Sequence, residues 1–222
     1  MSSSFPVPLV LQKNTPPARS AQAGAVDPGG IIVDGVTLTV TNQGVASAVP
    51  PPPIFAQIAK VTVPADTNQL AIAAIPNTFS NLMLMILFPQ RAANGNAPIT
   101  MQFNGDTAAH YAWQSIIGDN NNAPTSAASG FTDTSIQIGA VSGSENGTSG
   151  IATVTLTIVN YRSTTTGKGI TGTNYSTGNL GSGRTTTIAG QFLSLAAIAS
   201  IQVNASGNNI KAGAVATLYG ML

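Results

Sequence analysis

The sequence predicts an all-β chain: an antiparallel, jelly-roll-like β-sandwich preceded by an extended, proline-rich N-terminal arm. Three observations carry this expectation. In Thr153–Ile158 threonine alternates with Val154, Leu156 and Ile158, the period of two of a strand with one buried face. Comparable stretches recur about every ten residues with Gly, Asn, Asp and Pro between them, as in sandwiches and jelly rolls. No stretch sustains a helical period, and Ala196–Ser200 offers a single helical turn at most.

The arm comes first. Pro6, Pro8, Pro16 and Pro17 remove donors and fix φ, so residues 1–53 are extended or turn-rich. Within them Ile31–Val33 and Val36–Thr41 flank Asp34-Gly35, a type I′ hairpin signal, and Asn42–Gly44 makes a second turn. A hairpin this small is marginal alone and needs a partner surface. Pro50–Pro53 forms a stiff polyproline spacer. The expected division is therefore 1–53 as arm and 54–222 as sandwich.

Within the sandwich the expected strands are Ile54–Val63, Gln69–Ile75, Ser80–Phe88, Ile99–Phe103, Ala108–Ile117, Ser135–Val141, Gly150–Arg162, Arg184–Leu195, Ile198–Asn204 and Lys211–Leu222. The unbroken apolar run of Ser80–Phe88 reads as a strand buried on both faces. Gly118–Gly130 and Ser142–Gly150 read as surface loops, Ser163–Gly183 as a long loop or a hairpin packed on a neighbour. Asn204–Asn209 reads as a tight hairpin joining the final two strands.

Composition narrows the function. Charged residues are 7% of the chain, against roughly 25% in ordinary globular domains. A surface of Thr, Ser, Asn and Gly suits a protein packed against copies of itself, because fixing long charged side chains costs rotamer entropy. The longest apolar run, Leu82–Phe88, is far short of the ~20 residues of a spanning helix, so no membrane insertion is expected. Met1–Pro8 has no basic region followed by an apolar one, so no secretory signal is expected. The chain has no cysteine, which excludes disulfides and thiolate metal sites. Net charge is +1, with eight Lys and Arg scattered along the chain, and a nucleic-acid partner is not expected.

Residues able to carry chemistry are few. His110 is the single histidine, and its pairing with Asp106 across a turn is weighed against a plain strand histidine beside Tyr111. No G-x-S-x-G elbow and no phosphate loop occur. Asp27, Asp34, Asp66, Asp106, Asp119, Asp133 and Glu145 mostly flank Gly, Asn or Pro and read as turn formers. Sequons at Asn146, Asn174 and Asn204 fall in expected loops. Tyr111 and Trp113, near the centre of a strand, and Tyr175, in an expected loop, are the candidate surface or interface anchors. No catalytic residue, cofactor or metal site is expected.

Three segments carry a family resemblance. M-Q-F-N-G-D-T-A-A-H-Y-A-W-Q (Met101–Gln114) resembles a stretch found in tailed-phage virion proteins. Ile158–Tyr161 (I-V-N-Y) and Ala212–Gly220 (A-G-A-V-A-T-L-Y-G) resemble the later strands of those proteins, in the same order. Leu9–Ala21 and Ile32–Ala48 are similar to attachment regions of phage tail-fibre and baseplate proteins, without their acidic G-E-L-x-x-N element. The resemblance implies a structural virion protein, commonly a homotrimer, whose arm anchors to other virion proteins while the sandwich projects outward. As a tail fibre or tail-tip appendage it would meet a host-surface glycan or protein through 118–130 and 163–183. As a capsid decoration or head fibre it would clamp the major capsid protein. A third reading, a carbohydrate-active enzyme, would centre on Trp113, Tyr111 and Asp106.

Overall fold

The structure, a computed structural model, describes residues 31–33, 36–40, 46–49, 54–89, 97–119, 126–141, 151–177, 183–205 and 210–222. The chain divides into two compact units, Met1–Pro52 and Pro53–Leu222, and the division falls inside the proline run. In the first, β1 (Ile31–Val33), β2 (Val36–Val40) and β3 (Ala46–Val49) form an antiparallel three-stranded sheet. Val33 pairs with Val36 across the Asp34-Gly35 position.

The second unit is an antiparallel β-sandwich, and no helix occurs among its described residues. Twelve strands take part: β4 (Phe55–Thr62), β5 (Gln69–Ile72), β6 (Asn81–Phe88), β7 (Ala97–Phe103), β8 (Tyr111–Asp119), β9 (Ser126–Asp133), β10 (Ile136–Val141), β11 (Ala152–Val159), β12 (Lys168–Thr177), β13 (Gly183–Phe192), β14 (Ile201–Ala205) and β15 (Val215–Met221). The larger sheet has the order β4-β15-β6-β11-β12-β13-β8-β9, the smaller one β10-β7-β14-β5. Alternate residues of β6, β7, β11 and β14 point between the sheets, where Leu82, Leu84, Leu156 and Ile158 meet Ile99, Met101, Ile201 and Val203 in one buried cluster. Phe103, Tyr111 and Phe192 close one end, with ring centroids 4.9–6.3 Å apart.

Several expectations need correction. Ser80–Phe88 is buried on one face only: Met85 and Leu87 are 45% and 43% exposed, because the smaller sheet covers a single side. Gly118–Gly130 is not one loop, since β8 runs to Asp119 and β9 starts at Ser126. This edge strand, rich in Ala, Ser and Gly, carries no apolar alternation. Ser163–Gly183 contains β12, an interior strand paired with β11 and β13. Its inward positions include Lys168, Gly172, Asn174 and Ser176, which masks the period. The strands flanking 204–209 do not form a hairpin: β14 and β15 belong to different sheets. Asn174 and Asn204 lie in strands rather than loops, while Asn146 lies outside the described residues. Residues 196–200 form a bend with no helical turn.

The register also orders the two ends of the sandwich. Ile54 leads into β4, whose Phe55 lies opposite Met221 of β15, itself opposite Asn81 at the start of β6. Connections 73–80, 104–110, 160–167 and 193–200 share this end and are tied together. Asn104 Oδ1 accepts the Ala199 and Ser200 amides at 2.8 and 3.1 Å. The buried Tyr161 hydroxyl accepts the Phe79 amide at 3.2 Å and donates to the Pro76 carbonyl. Thr67 bridges Ile210 at the opposite end, beside the Asp66–Lys211 ion pair.

Candidate interaction surface

One face of the larger sheet packs on the core, and the other points outward. Pairing fixes which residues share that outward face. One row crosses all eight strands as Lys60, Thr217, Met85, Thr155, Thr173, Thr187, Ile116 and Ala127. The next row passes through Val215, Leu87, Thr153, Tyr175 and Thr185. On the other side of the first lie a row through Tyr219, Met83, Thr157, Thr171, Ala189 and Gln114, and an outermost row from Phe55 through Val159 to Phe131. Lys60 is the one charged residue in these four rows.

The face mixes threonines with exposed hydrophobic side chains. Of the twelve exposed large hydrophobic residues among those described, seven sit on it: Phe55, Met85, Leu87, Ile116, Phe131, Val159 and Tyr175. Phe131 is 82% exposed. Relief across the face is uneven. The flank formed by β4, β15 and β6 carries the bulky Met83, Met85, Leu87 and Tyr219, the last three beside a hollow of about 390 Å³. On the opposite flank a furrow of about 420 Å³ is lined by Gln114, Ile116, Ala127, Ser129, Thr187 and Ala189. It continues toward Phe131 and Gln191. Between the flanks, β11–β13 present stiff, β-branched threonines.

The outward face of the smaller sheet is a contrast. There Gln69 Nε2 donates to Asn204 Oδ1 at 3.1 Å, Asn204 Nδ2 to Gln102 Oε1 at 3.2 Å, and Gln102 Nε2 to the Thr134 carbonyl at 3.0 Å. That side is a chain of amides satisfied within the molecule and open to water.

The aromatic candidates separate. Tyr111 opens β8 rather than sitting at its centre, and it is fully buried, so it anchors the core of this chain and not a surface. Its hydroxyl accepts the Phe103 amide and donates to the Asp106 carbonyl, each at 3.0 Å, and burial pushes its pKa up to about 12. Trp113 is partly buried: its indole crosses Gly130 on the edge strand and donates to Asp133 Oδ2 at 2.7 Å. A Cβ at Gly130 would collide with that indole. Tyr175, 47% exposed, stands on the outward face.

His110 precedes its strand and does pair with Asp106, Nδ1 to Oδ2 at 2.7 Å. Burial pushes the Asp106 carboxyl up, but hydrogen bonds from His110 and the Ala108 amide outweigh this and hold it below its ordinary value. Asp106 is thus a local turn former, whereas Asp133 and Asp66 bond across the fold. No hydroxyl nucleophile is hydrogen-bonded to His110 among the described residues, and none of them forms a group of three metal-ligating side chains. The pair can orient a turn; on its own it is not a catalytic triad.

Sequence reasoning named Trp113 and Tyr175 but missed the face as a whole. Its outward threonines read as ordinary water-facing positions. The usable signal was the apolar run of Leu82–Phe88, since a strand apolar on both sides implies cover on both sides. No protein-family model, curated protein or solved structure matches the chain.

Proposed function

We propose that this chain is a non-enzymatic structural protein of a tailed-phage virion. In this reading it is a homo-oligomeric tail-fibre or tail-tip appendage, held to other virion proteins by its N-terminal unit and meeting the host surface with its sandwich. The observation that carries the reading is the nearly uncharged outward face of the larger sheet, on which seven exposed large hydrophobic side chains gather. Exposed hydrophobic side chains grouped on one face mark interaction surfaces. The resemblance of Met101–Gln114, Ile158–Tyr161 and Ala212–Gly220 to virion proteins supplies the setting.

Copy number tests this. Quantitative mass spectrometry of purified particles, referenced to the major capsid protein, is expected to give a few copies per particle. Hundreds of copies would replace the tail appendage with a capsid decoration. Absence from particles would overturn the virion assignment.

A further inference from the structure

We infer that the outward face of the larger sheet is covered by the same face of a second copy of this chain, related by a two-fold axis running along the strands between β11 and β12. The inference rests on the assembly reading above and names the partner of that surface.

Size comes first. Eight strands spaced ~4.8 Å apart, each about seven residues long at ~3.3 Å per residue, cover roughly 900 Å². Stable interfaces bury about 800 Å² per partner, so one copy of the face is enough for a lasting dimer. Charge agrees: Lys60, on the edge strand β4, is the one ionised side chain in the four rows. Two identical faces therefore meet without like-charge repulsion, and Lys60 stays at the rim.

Relief then selects the axis. A two-fold interface brings each patch onto the patch related to it by symmetry. Rotation about an axis parallel to the strands lays the β4-β15-β6 flank of one copy over the β13-β8-β9 flank of the other. About that axis β6 lies over β13, so the bulky Met83, Met85 and Leu87 face the smaller Ala189, Thr187 and Thr185, and Lys60 faces Ala127 at the rim. Two sheets stacked this way lie about 10 Å apart, as in any sandwich. The same rotation leaves both Ile54 positions at one end of the dimer. An axis perpendicular to the strands would stack flank on like flank. The pairing departs from the trimer that the family resemblance implies.

The cysteine-free full-length chain permits a clean test. Multi-angle light scattering is expected to give a dimer. Maleimide labelling of Thr173→Cys, at the middle of the face, is expected to be about ten-fold slower or more than that of Thr165→Cys on the exposed 160–167 connection, since reactivity follows access. Leu87→Lys should yield monomers and restore labelling at position 173. If Leu87→Lys does not fold, Thr187→Arg, an exposed position in the single chain, serves the same purpose. A monomeric or trimeric wild-type chain overturns the pairing, as does equal labelling at the two positions. A monomer with a shielded Thr173→Cys thiol also overturns it, because the cover then comes from within one chain. A monomer still present at a few copies per particle overturns the pairing alone and leaves the virion assignment standing.

Discussion

Single residues show how closely the fold depends on polar satisfaction inside an apolar shell. Tyr111 lies among Phe103 and Phe192, and its hydroxyl is the acceptor for the Phe103 amide. Removing the hydroxyl in Tyr111→Phe strands that amide, and an unsatisfied buried donor costs about 1–3 kcal/mol. The same hydroxyl makes stability sensitive to alkali. Burial raises its pKa from 10.0 to about 12, so the folded state keeps the proton that the unfolded chain releases. Its contribution is fully present below pH 10 and is lost as pH rises through about 12. Urea unfolding of the wild type should show a midpoint that falls across this window, and Tyr111→Phe should have a lower midpoint at pH 8 and a shallower fall. Parallel pH profiles would show that Tyr111 stays protonated equally in both states. Lys168 is the mirror case. Burial pulls its pKa down, while its ammonium donates to the Ser194 carbonyl at 2.8 Å and lies 5.8 Å from the Phe192 ring centre.

Strands differ in how plainly their residues announce them. In β6, β7 and β11 the inward positions are Ala, Leu, Ile, Met, Val and Phe, so a period of two survives in the sequence, and the sandwich class follows from it. β12 and β9 were hidden for different reasons. An interior strand need not be apolar where its inward side chains find partners. Asn174 accepts the Ala140 amide and donates to the Thr153 carbonyl, a satisfaction visible only once the sheets are assembled. An edge strand such as β9 needs only backbone pairing and a tryptophan laid over Gly130, and neither leaves a period. The outward face was obscured by the same ambiguity, since threonine serves equally against water and against another protein. Within β12, Gly172 exposes the tightness of the interior. A Cβ there would lie 2.1 Å from the Thr155 carbonyl oxygen and 2.6 Å from Leu156 Cδ2. Backbone cannot yield as a flexible side chain does, so Gly172→Ala should cost about 3 kcal/mol or more. Gly118→Ala, with nothing within 4 Å of the added carbon, should leave the melting temperature nearly unchanged. A Gly172→Ala protein as stable as wild type would mean that β11 and β12 can move apart.

At the scale of the whole chain, the two units are held by different physics. The sandwich buries one continuous cluster reaching from Val63 to Leu218. The first unit has three short strands, and a sheet that small has little core of its own. Stability and attachment should therefore separate. Deleting Met1–Pro53 removes no member of the cluster buried among the described residues, so the remaining protein should stay soluble and melt in one cooperative transition close to that of the full chain. Mixed with particles lacking the protein, it should fail to incorporate where the full chain does. Loss of cooperative melting in the truncated protein would show that the first unit belongs to the fold of the sandwich. Incorporation without it would place the anchor in the sandwich instead.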